Sequence, residues 1–179
     1  MTTRHRVWDP FVRLFHWSLV ILFTLNALII NDASKWHIWV GYGVAGLVAS
    51  RIIWGLIGTR YARFRSFPPS ISAALAQAGD MVGSRVKQHV GHTPLGAWMI
   101  YNLLLALVAI SVSGYLMTTN AFLGVEWMKG VHEAAATWAE ISVVAHIVAV
   151  IFESRRTGIN LPRAMVTGYK DLPSDIHDE

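Results

Sequence analysis

Four long apolar stretches, separated by short or polar segments, dominate the pattern of hydrophobic and polar positions along the chain. Each is long enough for a helix to cross a hydrocarbon core of about 30 Å, which takes roughly 20 residues. A membrane span must satisfy its backbone hydrogen bonds internally, so each stretch is interpreted as a helix. The stretches are about Phe11–Ile30, Trp36–Gly58, Pro94–Met117 and Gly130–Phe152. They predict an all-α fold, a transmembrane four-helix bundle that forms a single membrane domain over residues 1–179, with a polar tail over 153–179.

The long segment between the second and third stretches has a helical pattern of its own. Ser70 follows two prolines and is suited to an N-cap. Apolar residues then recur at helical spacing, at Ile71, Leu75, Ala78, Val82 and Val86. Two interpretations remain open: a short amphipathic helix lying on the inner membrane surface, and a solvated connector.

Composition agrees with a membrane protein. Hydrophobic residues make up 54% of the chain and charged residues 15%. The first stretch follows basic residues as a signal peptide would, but it is too long for one and no cleavage pattern follows it, so we expect a retained span. The chain has no cysteine, which excludes disulfides, thiolate-ligated iron–sulfur clusters and covalent c-type haem attachment.

The positions of the basic residues predict the orientation. Of the 15 Lys and Arg residues, only Lys35 and Lys129 lie in the connections after the first and third stretches. Basic residues are retained on the cytoplasmic side, so both termini and the long middle segment are predicted to be cytoplasmic. The net charge of +4 is therefore explained by basic residues that hold these segments on the cytoplasmic side. Because this accounts for the charge, we expect no nucleic-acid partner.

Four histidines within the stretches pair by depth. His132 and His146 are separated by almost four helical turns, so both rings project from nearly the same face, roughly 21 Å apart along the axis. With alternating span directions, His16 and His146 share the inner level, whereas His37 and His132 share the outer level. Ionisable groups inside a membrane are costly and usually functional, so these pairs predict two metal centres.

The number of ligands at each level favours haem. Two histidines are too few for a tetrahedral zinc site, but they complete the axial ligation of a six-coordinate haem iron. Small residues beside the histidines leave room for a flat macrocycle, although ordinary close packing explains them equally well. They are Gly41, Gly43 and Gly46 in the second stretch, and Ala135, Ala136, Ala139 and Ser142 in the fourth. A core histidine bonded to a carbonyl remains the alternative for any single ring.

The chain resembles the bacterial cytochrome b561 and nickel-hydrogenase b-type cytochrome family. The order and spacing of several short segments carry the resemblance, which extends from about Val7 to Lys170. The segments are VWDPFVRLFHW from Val7, HIWVGYG from His37, RIIWGLIGTRYARF from Arg51, GHTPLGA from Gly91, VHE from Val131 and LPRAMVTGYK from Leu161.

The resemblance implies a four-helix subunit of the bacterial inner membrane that holds two b-type haems. By position, His16 and His146 match the ligands of the inner haem, and His37 and His132 match those of the outer haem. Members pass electrons between the quinone pool and a redox partner, often a periplasmic cytochrome c or a hydrogenase. The chain is short for a hydrogenase cytochrome subunit.

Three other polar residues in or near the spans have two interpretations each, and a fourth has one. Arg51 either pairs with a propionate of the inner haem or extends its charged end to the inner surface. His92 either is an exposed histidine at a helix start or meets a quinone oxygen and relays its proton. Glu140 either hydrogen-bonds to Asn102 at similar depth, which is the favoured interpretation, or takes part in a proton path. Ser113 is interpreted as an isolated alcohol.

Three functions are compatible with the sequence. The leading one is a di-haem electron-transfer subunit between a periplasmic partner and quinone. The second is a superoxide:quinone oxidoreductase, in which Lys35 and Lys129 attract the anion. The third is a haem-free metal-ion transporter. Beyond a possible quinone oxidoreductase activity, no nucleophile–base set or phosphate-binding loop predicts an enzyme.

Overall fold

A computed structural model describes residues 2–83, 86 and 88–173 of the chain. Within these residues, four helices are long and apolar enough to cross a membrane, as the hydrophobic pattern predicts. They are α1 (Pro10–Thr24, continued by a π-helical turn at Leu25–Ile29), α2 (Lys35–Ile57), α4 (Pro94–Met117) and α5 (Glu126–Thr157). A 3-10 turn at Phe64–Ser66 and helix α3 (Ile71–Val82) lie between α2 and α4, and α6 (Leu161–Thr167) follows α5.

Helix α5 extends beyond the predicted span of 130–152 at both ends. Ion pairs on its own surface accompany the extensions: Lys129 lies 3.6 Å from Glu133, and Arg156 donates two hydrogen bonds to Glu153. Charged pairs one helical turn apart stabilise a helix without apolar surface, so hydropathy alone underestimates its length.

Helix α3 begins where the sequence predicts. The backbone N–H of Ala73 donates to the Ser70 hydroxyl at 3.3 Å, which makes Ser70 the N-cap. The position of this helix at the membrane surface stays a prediction, as does the cytoplasmic location of the termini.

A two-stranded antiparallel sheet is an element that the hydrophobic pattern does not predict. Strand β1 (Thr2–Arg6) pairs with β2 (Tyr169–Pro173), with Arg4 opposite Asp171. Residues 174–179 of the predicted tail lie outside the described part of the chain.

The chain divides into two compact units. The terminal unit comprises Met1–Arg13, Trp54–Tyr101 and Ala145–Glu179, and the span unit comprises Leu14–Ile53 and Asn102–Val144. The core of the terminal unit is Val7, Trp8, Val12, Ala62 and Ala164. The core of the span unit is Val44, Val48 and Leu107, against which Leu19, Leu22, Phe23 and Val108 pack.

Asp9 organises the start of α1 inside the terminal unit. Its buried carboxylate accepts hydrogen bonds from Val12 N at 2.9 Å, Trp54 Nε1 at 3.1 Å and Thr59 Oγ1 at 2.6 Å. Burial raises the pKa of this carboxyl, but these hydrogen bonds, led by that of Thr59, outweigh burial and hold the pKa below its usual value. Asp9 therefore caps α1 and joins it to the end of α2.

Lys170 joins β2 to the segment that precedes α4 through hydrogen bonds. Its buried ammonium donates to the backbone carbonyls of His89 at 3.3 Å and Gly91 at 2.8 Å. Burial lowers the pKa of Lys170 to about 8.

Candidate metal centre

His37 and His132 come together in the span unit. His37 lies in the first turn of α2, which Ser34 caps by accepting a hydrogen bond from Trp36 N at 3.1 Å. His132 lies in the second turn of α5. Their ring centroids are 6.3 Å apart, and the ring planes are inclined at 73°. These are the two histidines that the sequence assigns to the outer level.

Ser113 on α4 determines which nitrogen of His132 is available. The Ser113 hydroxyl lies 2.6 Å from the carbonyl oxygen of Ala109 and 3.0 Å from His132 Nδ1. A hydroxyl has one hydrogen, and the carbonyl can only accept, so the hydroxyl accepts from an N–H at Nδ1. His132 Nε2 is then the unprotonated nitrogen that can bind a metal ion. The interpretation of Ser113 as an isolated alcohol is therefore wrong.

Gly114, the next residue on α4, leaves space for the same ring. A Cβ atom at this position would lie 3.1 Å from His132 Cε1 and 3.5 Å from Nδ1. Any larger residue would press on the imidazole, so Gly114 and Ser113 together fix where the His132 ring lies. Neither role was predicted from the sequence, which gave Ser113 no partner and did not single out Gly114.

Asp32 lies beside His37 in the connection before α2. Its Oδ1 is 3.8 Å from His37 Nδ1, which exceeds the length of a direct hydrogen bond and is short enough for a water bridge. Within the described residues, His37 Nδ1 is buried without a hydrogen-bond partner. An acidic oxygen near Nδ1 favours a proton there and leaves Nε2 for a metal.

The two histidines of the predicted inner level lie on α1 and α5. His16 is half-buried on α1 in the span unit, with its ring 5.1 Å from that of Trp17. His146 is half-buried on α5 in the terminal unit. Their pairing stays a prediction. Arg51, on α2, is only 4% exposed, which disfavours extension of its charged end to the surface.

His92 is enclosed by aromatic rings in the terminal unit. Its ring centroid is 4.1 Å from that of Phe67 and 4.7 Å from that of Trp8, and the side chain is half-buried. It is therefore not an exposed histidine at a helix start. Tyr101 lies next to Phe67, at 5.9 Å between centroids.

The predicted hydrogen bond between Asn102 and Glu140 is wrong. Asn102 instead donates to Ser142 Oγ at 2.8 Å and accepts from Trp138 Nε1 at 2.9 Å. Both partners lie on the side of α5 that faces α4, whereas Glu140 lies on another side and is exposed. Asn102 therefore joins α4 to α5 without Glu140.

Comparison with known proteins decides the family. The family model of prokaryotic cytochrome b561 matches residues 7–168 of the chain. The chain belongs to the prokaryotic cytochrome b561 family. No curated protein and no solved structure matches it significantly. Membership makes the chain a membrane b-type cytochrome that takes part in electron transfer, and the four apolar helices make it a multi-pass bacterial membrane protein.

The His37–His132 pair fits the b-type haem that the cytochrome b561 family implies. The ring centroids are 6.3 Å apart, so one metal ion could be reached by a nitrogen of each ring. Two imidazoles are the number of protein ligands that a six-coordinate haem iron takes.

Proposed function

We propose that this chain is a di-haem cytochrome that moves electrons across the bacterial inner membrane, between a periplasmic redox partner such as a cytochrome c and the quinone pool. His37 and His132 would hold the outer haem, and His16 and His146 the inner haem. The observation that most supports the proposal is the 6.3 Å separation of the His37 and His132 rings. The inner pair is supported by the depth of its residues in the sequence and by the resemblance.

The residues around the outer pair would prepare it for a haem iron. When bound, each haem supplies an iron that exchanges one electron at a time. The Ser113 hydroxyl holds the proton of His132 on Nδ1, which directs Nε2 away from α4. Asp32, whose carboxylate lies 3.8 Å from His37 Nδ1, favours a proton on that nitrogen. Fixing the His132 ring before the metal binds reduces the entropy lost on binding and raises ligand basicity.

Arg51 would serve the inner haem as a positive charge. The Arg51 side chain is 4% exposed, and its planar guanidinium can hydrogen-bond both oxygens of a haem propionate. This burial supports the assignment of Arg51 to a propionate over the alternative of a side chain that extends to the surface.

His92 would contact the quinone. The neighbouring aromatic rings of Trp8 and Phe67 can pack against a flat quinone ring, and the imidazole can donate a hydrogen bond to a quinone oxygen or transfer a proton to it. The support is geometric: a titratable ring that is half-buried among aromatic side chains at the start of α4.

The experiment is haem quantification with a reduced-minus-oxidised visible spectrum of the purified protein. We expect two haems per chain. His37→Ala and His132→Ala should each leave one haem with the same spectrum, whereas His16→Ala and His146→Ala should each leave the other. His5→Ala, outside both pairs, is the control and should retain two. A colourless protein, or loss of the same haem from His37→Ala and His146→Ala, would contradict the proposal.

The superoxide alternative gains no support from the structure. Lys129, one of the two lysines expected to attract the anion, lies 3.6 Å from Glu133, whose charge offsets its own.

A further inference from the structure

Lys170 is a buried cation beside the segment that carries His92. Its side chain is 4% exposed, and its ammonium donates hydrogen bonds to the backbone carbonyls of His89 at 3.3 Å and Gly91 at 2.8 Å. Both carbonyls belong to the three residues that precede His92 in the chain. Desolvation of a charge costs free energy that these hydrogen bonds must offset, so stability alone is a weak reason for a lysine at this position.

The same ammonium also contacts an aromatic neighbour of His92. Lys170 Nζ is 5.5 Å from the centroid of the Trp8 ring, which is within the range of a cation–π contact. The Trp8 ring centroid in turn lies 4.7 Å from that of His92. Lys170 therefore contacts two groups that border the imidazole: the backbone that leads to it and a ring that packs against it.

Trp8 and Lys170 come from opposite ends of the chain, and the backbone of Gly168 holds them near each other. The Gly168 carbonyl accepts hydrogen bonds from Val7 N at 2.9 Å and Trp8 N at 3.1 Å. The φ angle of Gly168 is 90°, and a Cβ atom there would lie only 2.8 Å from the Trp8 carbonyl oxygen. This close approach requires glycine, and it fixes where Trp8 lies relative to the strand that carries Lys170.

The segment before α4 has no regular secondary structure of its own. Residues 88–93 form neither helix nor strand. Hydrogen bonds from other elements therefore help to set the path of its backbone, and Lys170 supplies two of them. Because His92 directly follows the second of these carbonyls, a change at Lys170 would be transmitted to the imidazole.

We propose that Lys170 is a positioning residue for the quinone site: it holds His92 and Trp8 in the arrangement that receives the quinone ring, without touching the quinone itself. This inference rests on the proposed role of His92 in quinone binding and names a residue on which that role depends. Loss of the ammonium should disturb the quinone site and leave both haems in place.

Quinone reduction by the purified, haem-loaded protein with a chemical electron donor tests this role. Lys170→Met removes the donors with little change in side-chain length. We expect the KM for a short-chain quinone to rise roughly tenfold, with a smaller change in kcat and unchanged haem content. Arg4→Met is the matched control, because it removes an exposed cation 4.3 Å from the Tyr169 ring on the same two-stranded sheet. It should leave KM unchanged.

A double-mutant cycle shows whether Lys170 acts through His92. His92→Ala should itself raise KM, and adding Lys170→Met to it should raise KM little further, because the residue to be positioned is gone. Three outcomes would overturn the proposal: an unchanged KM in Lys170→Met, an equal rise in Arg4→Met, or a full second increase in the double variant.

Chemical modification of His92 by diethyl pyrocarbonate, followed by mass spectrometry without quinone, separates this proposal from the quinone site itself. We expect Lys170→Met to raise the modification rate severalfold and Arg4→Met to leave it unchanged. An unchanged rate in Lys170→Met would overturn the positioning role. An unchanged KM in His92→Ala would instead contradict the quinone site, and the modification rate alone would then decide whether Lys170 holds His92.

Discussion

Replacing Ser113 with Ala would remove one hydroxyl that lies 3.0 Å from His132 Nδ1 and change nothing else near the ring. Because Ser113 is 3% exposed, no water takes its place easily, and the Nδ1 proton is left without an acceptor. An unsatisfied buried donor costs about 1–3 kcal/mol. Loss of such a partner to a metal ligand weakens metal binding about 10–100-fold, which agrees with that cost. We therefore expect the outer haem to be lost first during purification or dilution.

The same substitution should raise the reduction potential of the outer haem. A hydrogen bond at Nδ1 makes Nε2 more basic and favours the oxidised iron, so its loss favours the reduced iron. One tenfold change in relative affinity corresponds to about 59 mV for one electron, and we expect a rise of roughly 20–60 mV.

The assay is a potentiometric titration followed by visible absorbance, with haem content measured on the same samples. Ser113→Thr keeps the hydroxyl and should behave like the natural protein. Ser111→Ala removes a hydroxyl two residues away on α4 and is the matched control. An unchanged potential and haem content in Ser113→Ala, or the same shift in Ser111→Ala, would refute the assignment of the Nδ1 proton.

Three further variants test other contacts. Gly114→Ala should displace the His132 ring and lower outer-haem content severalfold, whereas Gly130→Ala, at a position with open space around it, should not. Asp9→Asn keeps a capping oxygen but puts an amide NH2 where Oδ2 accepts from Trp54 and Thr59, so it should lower stability by about 1–3 kcal/mol near neutral pH. Because the pKa of the Asp9 carboxyl is lowered in the folded state, the natural protein should lose the stability that this carboxylate contributes as pH falls through the folded pKa. Thermal denaturation at several acidic pH values should show this loss of stability in the natural protein and not in the variant. Burial lowers the pKa of folded Lys170 to about 8, against 10.5 for an exposed lysine, so the folded state binds fewer protons than the unfolded state between these two pH values. The contribution of Lys170 to stability should therefore rise with pH in that range. Lys170→Met should abolish that rise in denaturation midpoints measured over the same range.

The spans could be predicted from sequence because lipid imposes a simple rule. A hydrocarbon core requires about 20 apolar residues in a helix, and four stretches meet that requirement. Strand β1 could not be predicted in this way: Thr2–Arg6 is short and polar, and its partner strand lies at the other end of the chain. Pairing between distant polar segments leaves no periodic signal in either of them.

The outer histidine pair was accessible to sequence reasoning because depth follows from position along a span. The residues that position the two rings could not be predicted in this way. The role of Ser113 depends on its bond to the Ala109 carbonyl and on the rotation of α5 beside α4, neither of which hydropathy encodes. The prediction of a hydrogen bond between Asn102 and Glu140 was wrong for the same reason. Two residues at matching depth on neighbouring helices need not lie on the sides that face each other.

The ribbon formed by β1 and β2 places a condition on biosynthesis. β1 is synthesised before the four spans described here and β2 after them. The backbone of β1 therefore has no partner strand until these spans have been inserted into the bilayer. β1 and β2 can pair only if they lie on the same side of the membrane, which requires an even number of membrane crossings between them. Pairing of the two strands is therefore a sign that the spans have been inserted correctly. A chain released before Tyr169 keeps an open strand edge, the kind of surface that invites proteolysis and aggregation.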